Sequence, residues 1–299
     1  MARIFITRNI LPDGPEVLRQ KGFQVDIWPY ERPMTADELH LEAKNSQGLI
    51  CMLGDQINKN FLQQNSHLKI ISNYAVGLNN IDLEEAKKLS IAIGNTPDVL
   101  TEATAEIALG LMICASRSFK EGLKDAETGK WKHFEPTKYL GPALKGKTLG
   151  IIGMGRIGAR FAEMAQGAFQ MKIKAFSRGI NLEDFLKDLD VLSLHIPLTP
   201  DTKNFIGKKE IEAMKSSAII INTARGEVID QDSLYEALRD KKIFAAGLDV
   251  TTPEPLPTTH PLFALSNVFI TPHIGSATLE ARKAMSLLVA ENVLRAFKT

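Results

Sequence analysis

The sequence predicts an α/β protein with two domains, each built on a parallel β-sheet that helices cover. The chain of 299 residues is long enough for two domains with separate cores. Short apolar runs of strand length alternate with helical segments along nearly the whole chain, and this alternation is typical of parallel sheets. A glycine-rich segment at residues 147–178 interrupts the pattern in the middle of the chain.

The first 96 residues contain five strand-like runs with helical segments between them. The predicted strands are Arg3–Thr7, Val25–Trp28, Gly48–Leu53, Lys69–Tyr74 and Ile91–Gly94. The predicted helices are Pro15–Lys21, Ala36–Asn45, Asn58–Gln64 and Leu83–Leu89. Thr35 and Glu38 have the spacing of a capping box at the start of the second of these helices.

The remaining elements extend the same pattern. Residues 101–116 are strongly helical and rich in alanine, and residues 118–143 are predicted to be less regular. Four further apolar runs follow the glycine-rich segment: Leu189–Ile196, Ala218–Ile221, Ala245–Val250 and Val268–Thr271. Residues 277–297 predict one long amphipathic helix that returns to the first domain. The predicted domains are therefore 1–96 with 277–299, and 97–276.

The glycine-rich segment indicates a dinucleotide site. Gly153, Gly155 and Gly158 have G-x-G-x-x-G spacing and lie between a strand-like run and a helical segment, with a second strand-like run, Ile173–Phe176, after the helix. In this motif the first glycine permits a tight turn, the second lets the backbone approach a pyrophosphate, and the third lets helix and strand pack closely. The N-terminus of the helix offers N–H groups to the phosphates.

The end of the next strand indicates which dinucleotide binds. An NAD site usually carries an acidic residue about 20 residues after the glycines, bonded to the ribose 2′-hydroxyl. Here the strand ends in Phe176, Ser177 and Arg178, and the first acid is Glu183. A hydroxyl and a guanidinium bind a 2′-phosphate, which a carboxylate repels. We therefore predict NADP as the preferred cofactor and NAD as the alternative; otherwise Arg178 is a solvated surface charge.

Composition excludes several classes of protein. The chain is 44% hydrophobic and 24% charged, and its net charge of +1 gives no electrostatic reason to expect a nucleic acid or an anionic membrane as partner. Cys51 and Cys114 lie in apolar runs, which predicts buried, reduced thiols and a cytoplasmic location. Their spacing is not that of a zinc site, and no metal is expected. No signal peptide or membrane span is predicted.

One loop of the first domain has the features of a carboxylate-binding loop. Residues 73–82 follow a strand and include Gly77, so that backbone N–H groups are expected at the carboxyl edge of the sheet. A plain turn capped by Asp82 is an equally good interpretation.

Three side chains at successive strand ends form a coherent catalytic set. If the reaction is hydride transfer between a nicotinamide and a 2-keto acid, Arg225 supplies a fixed guanidinium for the carboxylate of the acid. His273 supplies the proton that the carbonyl oxygen needs when hydride arrives, and Glu254 orients and stabilises the imidazole. Each residue taken alone also fits a structural role in a loop. His195 is interpreted mainly as a strand-end residue near the adenine side.

The motifs together resemble the D-isomer-specific 2-hydroxyacid dehydrogenase family, most closely its glyoxylate/hydroxypyruvate reductases. They cover nearly the whole chain: YAVGLNNID, TPDVLTEATAE, LGIIGMGRIG, HIPLTPDT, INTARGEVID, AAGLDVTTPEPLPTTHPL and TPHIGSAT. The resemblance implies two Rossmann- or flavodoxin-like domains, the nucleotide domain being inserted into the substrate domain.

The resemblance also assigns the site residues. Arg225, Glu254 and His273 correspond to the family's catalytic residues, and Val76 and Gly77 to its substrate-carboxylate loop. The implied cofactor contacts are Thr104, Gly153, Met154, Gly155, Arg156, Ile157, Ser177, Arg178, Ala224, Asp249, His273 and Gly275.

The implied activity is reduction of a small 2-keto acid to the D-2-hydroxy acid by a homodimer whose residues 118–143 form an exchanged arm. Other 2-hydroxyacid dehydrogenases, such as phosphoglycerate dehydrogenase, and nucleotide-sensing corepressors are the alternatives. The chain departs from the family pattern after Arg178, where roughly one β-α unit is shortened.

Overall fold

The computed structural model describes residues 1–298, which form two compact units. Unit one consists of Met1–Leu100 and the C-terminal residues from Ser276 onward, and unit two consists of Thr101–Gly275. The sequence-based division falls after residues 96 and 276. Unit two begins at Thr101 because that residue is the first of a long helix that packs within this unit.

In unit one, strands and helices alternate strictly from the N-terminus. The described elements, in chain order, are β1 (Arg3–Ile6), α1 (Asp13–Gln20), β2 (Gln24–Ile27), α2 (Ala36–Lys44), β3 (Gly48–Cys51), α3 (Lys59–Gln64), β4 (Ile70–Asn73), α4 (Leu83–Lys88) and β5 (Ala92–Gly94). The predicted elements of this part are all present, and the predicted capping box at Thr35 and Glu38 is confirmed.

Unit two continues the alternation after two consecutive helices. Its described elements are α5 (Thr101–Ser116), α6 (Phe119–Glu127), β6 (Thr148–Ile152), α7 (Arg156–Phe169), β7 (Lys172–Phe176), α8 (Leu182–Leu186), β8 (Val191–Leu194), α9 (Lys208–Glu212), β9 (Ile219–Asn222), α10 (Gln231–Arg239), β10 (Ala245–Leu248) and β11 (Val268–Ile270). Short 3-10 helices lie at Gly226–Val228 and Pro261–Ala264. The chain then returns to unit one as α11 (Leu279–Ala296).

Both sheets are parallel, and the predicted fold class is confirmed. The strand order is β2-β1-β3-β4-β5 in unit one and β11-β10-β9-β8-β6-β7 in unit two. In each sheet the chain winds outward in opposite directions from a central pair of strands, β1 with β3 and β6 with β8. Ligands of open α/β sheets bind at the carboxyl ends of such a pair.

Continuous burial of the central strands explains why this sequence forms covered parallel sheets. All four residues of β3, β4, β8, β9 and β10 are buried, as expected for strands with helices on both faces. In unit two, α5 and α7 contribute to the core on one face of the sheet, and residues from α8, α9 and α10 contribute to the core on the other.

The return helix α11 is fixed to α1 by a close approach. A Cβ added at Gly14 would lie 1.9 Å from the Ser286 carbonyl oxygen, so only glycine fits there. The Ser286 hydroxyl accepts a hydrogen bond from Gly14 N–H at 3.0 Å and donates one to the Leu11 carbonyl at 2.6 Å. These contacts join the two ends of the chain within unit one.

Two structural expectations need correction. Residues 119–127, which the sequence predicts to be irregular, form α6. Phe119, Leu123 and Ala126 have helical spacing, but the segment is short and Phe119 and Leu123 are exposed; Lys120 anchors the helix by donating to the Phe263 and Leu265 carbonyls. Cys51 is buried as expected, but Cys114 is only partly buried.

Residues 1–298 contain neither a membrane-spanning helix nor a cluster of metal-binding side chains. No helix in this range combines the length and apolarity needed to cross a bilayer. The same residues contain no group of three or more His, Cys, Asp or Glu side chains suited to hold a metal ion.

Candidate active site

The glycine turn after β6 has the geometry that a dinucleotide requires. Gly153 has φ +98°, and a Cβ added there would lie 2.6 Å from the His195 carbonyl oxygen at the end of β8. A Cβ added at Gly158 would lie 2.3 Å from the Gly153 carbonyl, so α7 begins in direct contact with the turn. Nothing lies within 4 Å of a Cβ added at Gly155, which leaves space beside the helix N-terminus. The turn therefore fits a pyrophosphate on the first N–H groups of α7.

The residues that the sequence assigns to cofactor selection lie at the sheet edge. β7 is the outermost strand, and Ser177 and Arg178 follow it directly as exposed residues. Gly179 has φ +93° and begins a turn in which Ile180 N–H donates to the Ser177 carbonyl at 3.2 Å. Among residues 1–298, no carboxylate lies within ion-pair distance of the Arg178 guanidinium. An anionic cofactor group would therefore meet a guanidinium that no protein carboxylate neutralises.

Asp249 organises the loop that carries His273. This buried carboxylate follows β10 and accepts hydrogen bonds from the Thr271 hydroxyl at 2.6 Å, from Ile274 N–H at 2.8 Å and from Gly275 N–H at 2.7 Å. Thr104 of α5 donates to the Gly275 carbonyl at 3.0 Å. The loop's shape is therefore set by groups on two neighbouring elements.

His273 has a backbone conformation that favours glycine. Its φ is +54°, and its N–H donates to the Asp249 carbonyl at 3.0 Å. A non-glycine residue in this region costs on the order of 1 kcal/mol or more, and such residues are frequent at functional sites. The surrounding hydrogen bonds hold the residue there, and its ring points toward Glu254.

Glu254 and His273 form a direct pair. His273 Nδ1 lies 2.8 Å from Glu254 Oε2, while Glu254 Oε1 accepts a hydrogen bond from Thr251 N–H at 3.0 Å. Burial opposes the charge on the Glu254 carboxylate, but the hydrogen bond and charge of His273, the Thr251 N–H and the nearby Arg225 outweigh burial and lower its pKa. Because an ionised carboxylate accepts from Nδ1–H, Nε2 is the nitrogen available to a substrate.

Arg225 lies in the turn after β9, and Asn222 shapes that turn. Asn222 Oδ1 accepts from Ala224 N–H at 3.0 Å, and its Nδ2 donates to the Arg225 carbonyl at 2.8 Å. Burial lowers the pKa of the Arg225 guanidinium, while the negative charges of Glu254 and Glu227 act in the opposite direction. Arginine stays protonated in proteins, so the turn holds a partly buried positive charge. Sequence reasoning missed the role of Asn222, although its position at a strand end is a usable signal.

A cavity of about 570 Å³ borders the Glu254–His273 pair. Its apolar lining includes Leu256, Phe263 and Ile270. Apolar walls reduce competition from water, and hydrogen bonds between charged groups are stronger in such surroundings. The pair therefore borders a cavity with apolar walls, while the charge of Arg225 acts on the Glu254 carboxylate.

His195 has a different environment, although it also ends a strand. Its Nε2 lies 2.9 Å from the Ser193 hydroxyl, its Nδ1 lies 3.5 Å from the Thr223 hydroxyl, and its ring packs on Phe161. Burial lowers the pKa of His195 to about 4, which keeps the ring neutral at physiological pH. This environment agrees with the interpretation of His195 as a strand-end residue.

The candidate carboxylate loop belongs to unit one. Asn73 Nδ2 donates to the Gly77 carbonyl at 2.8 Å, and Asn95 Nδ2 donates to the Val76 carbonyl at 2.9 Å. No acceptor among residues 1–298 lies within hydrogen-bond distance of the Val76 or Gly77 N–H. Asp82 caps α4 by accepting from Glu85 N–H at 2.9 Å. Both sequence interpretations of the loop are thus compatible: the loop ends in a capped helix and also presents two N–H groups.

Comparison with known proteins identifies the family. The model of the D-isomer specific 2-hydroxyacid dehydrogenase NAD binding domain matches residues 109–275. The chain belongs to this family, as the sequence motifs indicate, and it is a nicotinamide-dependent oxidoreductase.

Its relatives include named reductases. Glyoxylate reductase of Aeropyrum pernix is 41% identical, with 98% of this chain and 92% of the relative aligned. Human glyoxylate reductase/hydroxypyruvate reductase is 38% identical, with 98% and 94% aligned. The NADPH-dependent glyoxylate/hydroxypyruvate reductase of Sinorhizobium meliloti, solved in complex with NADP and malonate, has a TM-score of 0.85 and 29% identity, covering 100% of this chain and 94% of that one.

Proposed function

We propose that this protein reduces glyoxylate or hydroxypyruvate to the corresponding hydroxy acid, with NADPH preferred over NADH. When bound, the nicotinamide supplies the hydride that adds to C2 of the keto acid. The observation that carries the proposal is the 2.8 Å contact between Glu254 and His273 on loops at the carboxyl edge of the sheet that carries the glycine turn. The named reductases among the relatives support the choice of substrate.

His273 acts as the proton donor in this proposal. The carbonyl oxygen gains negative charge as hydride reaches C2, and a proton from His273 Nε2 neutralises it. Glu254 holds Nδ1 and stabilises the protonated ring, since its own pKa is lowered and it stays ionised. In the reverse direction, the same imidazole accepts the hydroxyl proton.

Arg225 of unit two binds the substrate carboxylate, and in unit one the loop of Val76 and Gly77 is a second candidate for a carboxylate contact. The guanidinium supplies a permanent charge with two parallel donors, and the two N–H groups supply further hydrogen bonds. Residues 1–100, with those from 276 onward, form the substrate domain, and residues 101–275 form the nucleotide domain. The match of the NAD binding domain model to residues 109–275 supports this assignment.

The fold supports the following proposed cofactor contacts. Gly153, Met154, Gly155, Arg156 and Ile157 hold the pyrophosphate, while Ser177 and Arg178 bind the 2′-phosphate of NADPH. The further contacts are with Thr104, Ala224, Asp249, His273 and Gly275, near the nicotinamide.

The protein functions as a cytoplasmic homodimer in this proposal. Trp131 and Phe134 are 66% and 85% exposed, as expected for residues 118–143 if they contact a second copy. Two free cysteines suit a reducing compartment. Light scattering after size-exclusion chromatography tests the assembly: a mass of two chains is expected, and a single-chain mass at micromolar concentration contradicts it.

A panel of small 2-keto acids tests the activity. Oxidation of NADPH and NADH is followed over a range of concentrations of glyoxylate, hydroxypyruvate, pyruvate and phosphohydroxypyruvate. The proposal expects the highest kcat/KM for glyoxylate or hydroxypyruvate with NADPH. Tight NADPH binding without turnover of any acid would contradict it and favour a nucleotide-sensing module. A preference for phosphohydroxypyruvate would indicate the phosphoglycerate branch of the family.

A further inference from the structure

The loop that carries Glu254 has few backbone donors of its own. Pro253, Pro255 and Pro257 alternate with its other residues, and proline has no backbone N–H. Within the loop, Thr251 N–H donates to Glu254 Oε1 at 3.0 Å, and the Thr251 hydroxyl donates to the Pro253 carbonyl at 2.9 Å. These contacts fix Glu254 relative to its loop, so the carboxylate's position depends on what holds the loop.

Gln231 binds both backbone groups of Thr252. Its Nε2 donates to the Thr252 carbonyl at 2.5 Å, and its Oε1 accepts from Thr252 N–H at 2.8 Å. The backbone fixes the orientation of the amide, because a flipped amide would oppose donor to donor and acceptor to acceptor. One side chain thus makes two hydrogen bonds to the residue that lies two positions before Glu254.

Gln231 also connects this loop to the turn that carries Arg225. It is the first residue of α10, which follows the 3-10 helix after Arg225. A Cβ added at Gly226 would lie 2.1 Å from the Thr251 carbonyl oxygen and 2.6 Å from the Thr252 hydroxyl, so turn and loop are in direct contact. The amide therefore joins the segment of the substrate-binding arginine to the segment of the histidine-orienting glutamate.

We propose that Gln231 is a positioning residue of the reductase: its carboxamide holds Thr252 so that Glu254 reaches His273 Nδ1. The inference rests on the proposed roles of Glu254 and His273. Gln231 acts through the Thr252 backbone and through the Thr251–Glu254 contact. Without the amide, the proline-rich loop is held by fewer contacts, and the carboxylate spends less time in line with the imidazole.

Gln231→Met tests the role, because methionine keeps an unbranched side chain of similar length and removes both hydrogen bonds. We expect kcat to fall between about 10-fold and 100-fold, as for a small misplacement of a catalytic group. KM should stay within about threefold of wild type, since Arg225 is retained.

Two further variants separate positioning from a general loss of structure. Gln63→Met removes a hydrogen bond that a glutamine amide donates in unit one, from Gln63 Nε2 to Glu85 Oε1 at 2.7 Å. This variant should keep the wild-type kcat and pH profile. Gln231→Glu keeps the acceptor for Thr252 N–H but sets a carboxylate oxygen against the Thr252 carbonyl, so its kcat should fall at least as far as that of Gln231→Met. Thermal melting and NADPH fluorescence show that each variant is folded and binds cofactor.

A double-mutant cycle decides whether Gln231 acts through Glu254. In the Glu254→Gln background, adding Gln231→Met should change kcat less than about twofold, because the group that it positions is already neutral. If the kcat losses of Gln231→Met and Glu254→Gln multiplied in the double variant, the inference would be overturned. Wild-type kcat in Gln231→Met beside an impaired Glu254→Gln would also overturn it, while the proposed function would stand. Wild-type turnover in Glu254→Gln itself would overturn the proposed role of the pair and this inference with it.

Discussion

Two strands of the unit-two sheet are followed by histidines, and the two histidines have different hydrogen-bond partners. His195, after β8, lies against hydroxyl groups and an aromatic ring, and burial lowers its pKa to about 4. His273, after β11, is about one-third exposed and pairs with the Glu254 carboxylate. The first stays neutral and supports the turn beside Gly153, whereas the second has a partner that stabilises a proton. Both residues are histidines that follow a strand, so their hydrogen-bond partners and their exposure are what distinguish the structural His195 from the candidate proton donor His273.

Replacement of His273 should have the largest effect on turnover. His273→Gln removes the proton donor and keeps a side chain that accepts or donates hydrogen bonds. We expect kcat to fall between about 100-fold and 10,000-fold at pH 7, the usual contribution of a positioned acid. NADPH oxidation at 340 nm measures kcat, and NADPH fluorescence titration shows that the variant still binds the cofactor. A variant within threefold of wild type would remove His273 from the mechanism.

Glu254→Gln should have the next largest effect. The amide keeps the shape of the side chain but loses the charge that stabilises a protonated His273, so kcat should fall about 100-fold or less. The lowered pKa of Glu254 means that its carboxylate is ionised throughout the neutral range; its contribution is lost only as pH falls through that lowered pKa. Stopped-flow NADPH oxidation measures kcat in both proteins between pH 5 and 9, where the Glu254 carboxylate stays ionised. Wild-type kcat in the variant throughout this range would contradict the pairing.

Arg178→Ala should change cofactor choice rather than turnover. Removal of the guanidinium takes away a charge-assisted bond to the 2′-phosphate, worth about 2 kcal/mol, so the NADPH/NADH ratio of kcat/KM should fall about tenfold or more. Arg160→Ala is a matched control, since this arginine lies on α7 and pairs with Glu102 and Glu163. An unchanged ratio in Arg178→Ala would exclude a phosphate contact.

His195→Gln should have the smallest effect on activity, with kcat within about threefold of wild type, because the ring is neutral and hydroxyl-bonded. The substitution should instead change how the free energy of unfolding depends on pH. The folded pKa of about 4 lies below the unfolded value of about 6.5, so the native state loses stability as pH falls through this window. The loss is about 2 kcal/mol at pH 4.5, and the variant should lose this share of the pH dependence in urea unfolding. An identical pH dependence would contradict the buried neutral ring.

Much of the fold and of the candidate site could be predicted from the sequence. Apolar runs that end in polar residues predict strand ends at one sheet edge, and the glycine spacing predicts the turn. The motifs around Arg225, Glu254 and His273 predict the catalytic set. The sequence did not predict the hydrogen bonds that hold these residues in place. They are the bonds of Asp249 to the His273 loop, of Asn222 to the Arg225 turn and of Gln231 to Thr252. The contacts of Asp249 and Gln231 join residues far apart in sequence, and no local pattern marks them; the contacts of Asn222 are local, and its position at a strand end is the signal that could have indicated them.

The helix α6 illustrates a second limit. Phe119, Leu123 and Ala126 have helical spacing over little more than two turns, which is a weak signal in so short a segment. The helix is anchored by Lys120, which donates to two carbonyls more than a hundred residues away in the chain. Local spacing cannot show such a distant contact, nor that Phe119 and Leu123 are exposed.

The most direct test of the central claim is a double-mutant cycle on His273 and Glu254. kcat/KM for glyoxylate with NADPH is measured at pH 7 in wild type, His273→Gln, Glu254→Gln and the double variant. If Glu254 acts through His273, the double variant should be no more than about twofold slower than His273→Gln alone. Losses that multiply would show that the two residues act separately, which would contradict the carboxylate-supported imidazole as the proton donor.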